Sequence, residues 1–504
     1  MPLPPRGRPS HLGTAALAVP RRSGGRGLRG GGEDGNRRST GPASGCATRP
    51  VPTVRFPALD AVRGLAALAV VAFHAYKDLA GRPEWDTPLG TLAFSLQWAV
   101  PVFFVLSGFL LYRPFAAALA GGRERPATGP FLLRRAGRIL PGYWLALVVF
   151  GTLAQPDRLW SPDGLVRYGL LLQVFDADTV YHVLGTAWSL SIEFAFYLAL
   201  PVLAWLVARL LARVRATGPA DAPDARPRRV ALVPHLALIG LLTAAAITLR
   251  NVVVAPVLAA AGGDPNLAGF SLPGSFQPFA TGMALAVVTV SRRELLAWLR
   301  DARHHVPRRI RVATVGLLRR DGPWLGLALL AFSFALVVEP RHVAPWSSTD
   351  FATLAATAAL APLVLRPTTS RAARLLGRSR SLVALGAVSY GLYLWHWPIQ
   401  ELARTHGFAV EGSLLGWAFG FAVMATLGTC AAWVSYRLIE APINARVRAA
   451  TGSRPAAAPS PEGAGGLESG PTAAPPLRPA RAAEGLAQRG ARGGAPRSVA
   501  GAES

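Results

Sequence analysis

The sequence predicts an all-α fold: a polytopic transmembrane helical bundle of about ten spans with both termini cytoplasmic. Three observations carry this reading. The 504-residue chain is 51% hydrophobic and only 16% charged, whereas soluble proteins carry about 25% charged residues. Apolar runs long enough to cross about 30 Å of hydrocarbon recur along it. Arginine is distributed unevenly between the loops that join those runs, as the positive-inside rule requires.

The candidate spans are 58–76, 93–112, 139–154, 188–208, 232–249, 272–290, 323–338, 350–365, 382–399 and 413–436. With the N-terminus in the cytoplasm, the inner loops 113–138, 209–230, 291–321 and 366–380 hold 26 basic residues. The outer loops 77–92, 155–187, 250–271, 339–349 and 400–412 hold 7. Topology therefore accounts for most of the formal net charge of +26. Nucleic-acid binding, which such a charge would suggest on a soluble domain, loses its basis. Of the 53 basic residues only Lys77 is lysine, which points to genome base composition rather than function.

Residues 1–55 and 443–504 are rich in Gly, Pro, Ala and Arg and lack apolar periodicity, so disordered tails are expected on either side of one membrane domain over 56–442. Cys46 lies in a tail and Cys430 in an apolar run, with no Cys/His ligand spacing, so neither a disulfide framework nor a metal site is expected.

Several polar residues are not explained by topology. Arg63 and His74 are eleven residues apart on the first span. Eleven helical steps return to within about 20° of the start and rise about 16 Å, so both side chains face one way at different depths. Ionisable residues inside a membrane are costly and mark cavities or pathways; the plainer alternative is a snorkelling arginine and a packing histidine. In "WSLSIEFAFYLALP", Ser189, Glu193 and Tyr197 share a face, and Glu193 needs a partner, a histidine or an arginine. In "GAVSYGLYLWHWP", Ser389, Tyr393 and His396 share another; His396, near the outer end, reads as a cap or interfacial residue. "FLLRRAGRILPGYW" brings Arg134, Arg135 and Arg138 to the cytoplasmic entry of the third span, as anchors or as a clamp for a phosphorylated ligand. Ser107 and Gly108 allow close helix approach in the second span. Tyr436 and Glu440 read as anchors at the last inner boundary.

The order of these motifs resembles that of the acyltransferase family 3 membrane proteins, which O-acylate sugars of surface polysaccharides, peptidoglycan, glycolipids and macrolides. The resemblance runs from about Phe56 to Pro442. It comprises "LDAVRGLAALAVVAFH", with Arg63 and His74, then "VPVFFVLSGFLL", "RRAGRILPGYW", "WSLSIEFAFYL", "SYGLYLWHWP" and "YRLIEAP". It implies a ten-span core, an acyl-CoA donor (acetyl-CoA by family default) on the cytoplasmic side, and an essential first-span histidine. It also implies a multi-pass protein of the bacterial plasma membrane. Some relatives add a C-terminal esterase-like domain, which is not expected in this chain.

On that basis Arg135 and Arg138, with Arg134, are expected to hold the phosphates of acyl-CoA, and His74 to act as general base on an acceptor hydroxyl. Arg63 is a candidate for the oxyanion, although helix geometry alone puts it far from His74. Glu193 is expected either to orient His74 or to balance an arginine, and a covalent acyl-histidine stays open. Ser107, Ser189, Tyr197, Ser389, Tyr393 and His396 are the other site candidates. The expected partners are acyl-CoA, a carbohydrate, glycolipid or macrolide acceptor and the lipid bilayer, with no nucleic acid and no metal. The aromatics and carboxylates of the outer loop 155–187 suit sugar contacts. A rival reading is a transporter or flippase of glycan or lipid intermediates, against which stand the lack of an inverted repeat in the motif order and the expectation of no clearly broken helix pair.

Overall fold

The computed structural model describes residues 56–79, 85–120, 124–216, 232–301, 306–338, 348–410 and 413–452. The N-terminal tail, and the C-terminal tail beyond residue 452, lie outside the described residues. Among those described there is no strand, and each of the ten expected spans falls on a helix.

The first span is α1 (Pro57–Leu79). The second is a bent run of α2 (Pro88–Ser95) and α3 (Ala99–Leu119), and the third is α4 (Thr128–Ala154). The connection that follows holds two short helices, α5 (Pro156–Leu159) and α6 (Pro162–Gly169), before the long α7 (Trp188–Ala216). Then come α8 (Leu232–Thr248), α9 (Ala255–Ala260) and α10 (Phe276–Asp301). Further along are α11 (Arg308–Arg319), α12 (Gly322–Val338), α13 (Ser348–Leu365) and the short α14 (Arg371–Arg378). The chain closes with α15 (Arg380–Thr405), α16 (Leu414–Ser435) and α17 (Ala441–Ala450). The domain boundary expected at 442 therefore falls inside a helix, because the alanine- and arginine-rich 441–450 has good helix propensity.

Seven of the described helices are long and apolar enough to cross a membrane, or eight if α11 and α12, bent by 87°, count as one span. The expected spans in α10 and α15 fall outside that set. Both are 26 residues long, but α15 carries Gln400, Glu401, Arg404 and His396. It packs between α1, α4 and α16, where protein rather than lipid surrounds it. The outward faces are apolar instead: Leu329 on α12 is 70% exposed and Leu415 on α16 80%, as a bilayer solvent demands.

Two close helix contacts set the frame. A Cβ on Gly386 of α15 would lie 1.9 Å from Asp60 O of α1. Between α3 and α10 the contact is reciprocal: a Cβ on Gly108 would lie 2.1 Å from Phe279 O, and one on Gly282 2.1 Å from Val105 O. The close approach expected at Gly108 is thus made, against α10. Two π-helical segments, Leu249–Val254 and Tyr436–Glu440, interrupt the run from α8 to α9 and from α16 to α17, a distortion often found at functional sites.

Candidate active site

The site is built on two neighbouring cavities. One is large, about 760 Å³, and His74 lines it. The other is small, about 40 Å³, and Arg63 lines it. Val100, Phe104 and Tyr393 contribute to both. The eleven-residue spacing on α1 does what helix periodicity requires, turning both side chains to one side at two depths.

His74 is buried, and its Nδ1 lies 3.0 Å from Asp78 Oδ2, one turn further along α1. An ionised carboxylate only accepts hydrogen bonds, so Nδ1 carries the proton and Nε2 keeps its lone pair. Gln400 of α15 lies within interaction range of Asp78, whose Oδ1 is 3.7 Å from Lys77 Nζ. The His74 ring is walled by His396, with centroids 5.2 Å apart, and by the edge-on indole of Trp397 at 5.6 Å. His396 is not an interfacial residue. It is completely buried, with Nδ1 3.2 Å from Leu392 O.

The small cavity gathers six of the residues expected from the sequence: Arg63, Ser107, Ser189, Glu193, Ser389 and Tyr393. Glu193 does not reach His74. It accepts hydrogen bonds from Ser107 Oγ at 2.5 Å and from Tyr197 OH at 2.7 Å. The arginines are near it all the same, since Arg63 and Arg135 both lie within electrostatic range of Glu193 and of Arg138. Arg63 thereby groups with the α4 arginines rather than with His74. Ser189 Oγ and Tyr393 OH are 2.7 Å apart, and Tyr393 OH donates to Thr186 O at 3.2 Å, joining α7 to α15. Ser389 Oγ donates to Gly386 O in its own helix at 2.9 Å.

Arg134, Arg135 and Arg138 all stand on the first half of α4. The Arg135 guanidinium lies 6.0 Å over the Tyr197 ring, a cation–π distance. Glu440, expected as a boundary anchor, is instead buried. It accepts from Ser435 Oγ at 3.1 Å and is in electrostatic range of Arg138. A π-helical turn rotates it inward.

The large cavity is rich in aromatic faces, among them Trp85, Trp98, Trp188, Trp397 and Tyr181, with Arg250 and Asp350 as its other charged groups besides Lys77. Of the loop 155–187 residues expected to meet a sugar, Tyr181 lines this cavity. Tyr168 is buried under α4, its carbonyl accepting from Tyr143 OH at 2.5 Å. Asp163 and Asp176 are engaged by Arg167 at 2.7 and 2.8 Å. Sequence reasoning missed Asp78, Gln400 and Arg250. For Asp78 a signal existed, the i, i+4 spacing from His74; for the other two there was none without the fold. Among the described residues no group of three or more His, Cys, Asp or Glu side chains could hold a metal ion.

A family model described as an acyltransferase domain (Acyl_transf_3) matches residues 56–437. Among curated proteins, "Acyltransferase MdmB" of Streptomyces mycarofaciens is 34% identical over 175 residues, covering 32% of this chain and 43% of the relative. "Peptidoglycan O-acetyltransferase OatA" of Listeria monocytogenes is 24% identical over 410 residues, covering 77% of this chain and 55% of the relative. The chain thus spans about half the length of the curated relatives it matches. No solved structure matches it.

Proposed function

The chain belongs to the acyltransferase 3 family, and from that premise we propose that it is a membrane O-acyltransferase. It moves an acyl group, acetyl by family default, from cytoplasmic acyl-CoA to a hydroxyl of a carbohydrate-containing acceptor. The observation that carries this reading is the His74–Asp78 pair at 3.0 Å on the wall of the large cavity. A histidine whose Nδ1–H is held by a carboxylate presents a basic Nε2 and is stabilised once protonated.

In this mechanism His74 Nε2 takes the proton of the acceptor hydroxyl as its oxygen attacks the thioester carbonyl. The C–S bond then breaks, the imidazolium returns the proton to the departing thiolate, and an ester and free CoA result. His396 and Trp397 wall the His74 ring, and Gln400 stands beside Asp78. Arg135 and Arg138, with Arg134, attract the donor's phosphates. The small cavity with Arg63 and Tyr393 adjoins the large one through Val100, Phe104 and Tyr393; at about 40 Å³ it must widen to admit a donor arm. Aromatic faces with a few polar groups, as in the large cavity, suit a sugar ring. The ten-span topology with both ends inside belongs to the same proposal and puts the large cavity toward the outer side.

The test is purified protein given acetyl-CoA labelled in the acetyl group and soluble glycan fragments. Free CoA and an alkali-labile ester should form together, and both should be lost in His74→Ala. Glycan crossing a liposome bilayer without any release of CoA would instead make the protein a flippase.

A further inference from the structure

A third cavity, of about 530 Å³, lies between the end of α10 and α11, remote from His74 and from the α4 arginines in sequence and in lining. Five of its lining residues are arginines: Arg300, Arg308, Arg311, Arg319 and Arg320. The side chains of Arg308, Arg311, Arg319 and Arg320 make no hydrogen bond or ion pair among the described residues, and Arg311 Nε is shielded from solvent as well. The nearby carboxylate, Asp321, is already taken by Arg366 at 2.9 Å and by the Arg371 backbone N–H at 3.1 Å. Like charges gathered around a cavity repel one another unless an anion sits among them. Arg308 also stands on the first turn of α11, where the helix dipole disfavours a cation and favours an anion, and no side chain caps that turn.

The other face of α11 is apolar. Ile310 and Leu317, seven residues apart, are both exposed, as is Trp298 near the end of α10. Because α11 meets the apolar α12 at 87°, it lies along the membrane surface when α12 crosses the bilayer. That is the arrangement of an interfacial amphipathic helix.

We propose that the α10–α11 cavity binds the phosphate headgroup of an anionic phospholipid, with Arg308, Arg311, Arg319 and Arg320 as its guanidinium ligands. Guanidinium forks match phosphate oxygens. A soluble phosphate, including the nucleotide end of a CoA, offers the same chemistry, but the apolar flank of α11 selects an anion that carries acyl chains. The proposal does not rest on acyl transfer.

The experiment uses the full chain in phosphatidylcholine nanodiscs doped with photoactivatable phosphatidylglycerol, with crosslinked peptides mapped by mass spectrometry. Label should fall on peptides within 299–320, be competed by unlabelled phosphatidylglycerol, and resist competition by adenosine 3′,5′-bisphosphate. R308Q/R311Q/R319Q should lower that label on the order of tenfold or more, with label on the exposed faces of α8 and α16 unchanged. R308K/R311K/R319K should keep most of it. Equal labelling by a phosphatidylcholine probe, or label unchanged in the glutamine variant, overturns the proposal. Competition by the bisphosphate overturns the lipid assignment in favour of a soluble phosphate. The comparison of the two probes needs no variant, so it decides the matter even where the glutamine variant fails to reconstitute.

Discussion

His74 Nδ1 meets Asp78 Oδ2 at 3.0 Å across one turn of α1, and Gln400 of α15 lies within interaction range of the same carboxylate. Asp78→Asn keeps the size of this side chain and removes the charge that favours the protonated ring. Acyl transfer is expected to fall about 10²–10⁴-fold, with the KM for acyl-CoA nearly unchanged and the protein still folded. Steady-state kinetics on purified protein check this. A variant with wild-type kcat would remove Asp78 from the mechanism.

Arg138 lies within electrostatic range of both Arg135 and Arg63. If Arg135 and Arg138 hold donor phosphates, Arg138→Gln raises the KM for acyl-CoA about tenfold, the size expected for one charge-assisted hydrogen bond. The KM for an acyl-pantetheine donor, which lacks the nucleotide, should not move. Equal changes with both donors would indicate that Arg138 supports the fold and not the nucleotide.

Glu193 accepts from Ser107 and Tyr197 amid the positive charge of Arg63 and Arg135. Glu193→Ala leaves two hydroxyls and a set of arginines uncompensated and is expected to cost about 1–3 kcal/mol. Glu193→Gln, which can still accept from both hydroxyls, should cost less. Melting temperatures in detergent compare the two. Equal losses would assign the effect to charge alone.

Gly386 and Gly240 make a matched pair. The first faces Asp60 O at a separation no Cβ could tolerate, and the second has nothing within 4 Å. Gly386→Ala should destabilise by about 1–3 kcal/mol through separation of α1 and α15. Gly240→Ala should be neutral or stabilising by about 0.5–1 kcal/mol, as usual inside a helix. The same melting assay reads both, and a stable Gly386→Ala would contradict the packing of α1 on α15.

The sequence by itself determined the all-helical class and the apolar stretches that fall on helices, because hydrophobic runs respond to the bilayer directly and need no tertiary contact. It also determined that Arg63 and His74 share a side of α1, since helical periodicity is a local property. Six of its polar residues, including Ser107, Glu193 and Tyr393, do meet in one cavity. Tertiary structure decided which of them touch. Glu193 and Asp78 are both carboxylates within reach of a helical histidine on paper. Only the packing of α7 against α3 turns Glu193 toward Ser107, and only α15 brings Gln400 to Asp78 and His396 to His74. The inward turn of Glu440 was likewise beyond the sequence, because a π-helical turn shifts the helical phase on which any reading of faces depends. The contacts between α1 and α15 join residues hundreds of positions apart, and one sequence carries no periodic signal for them.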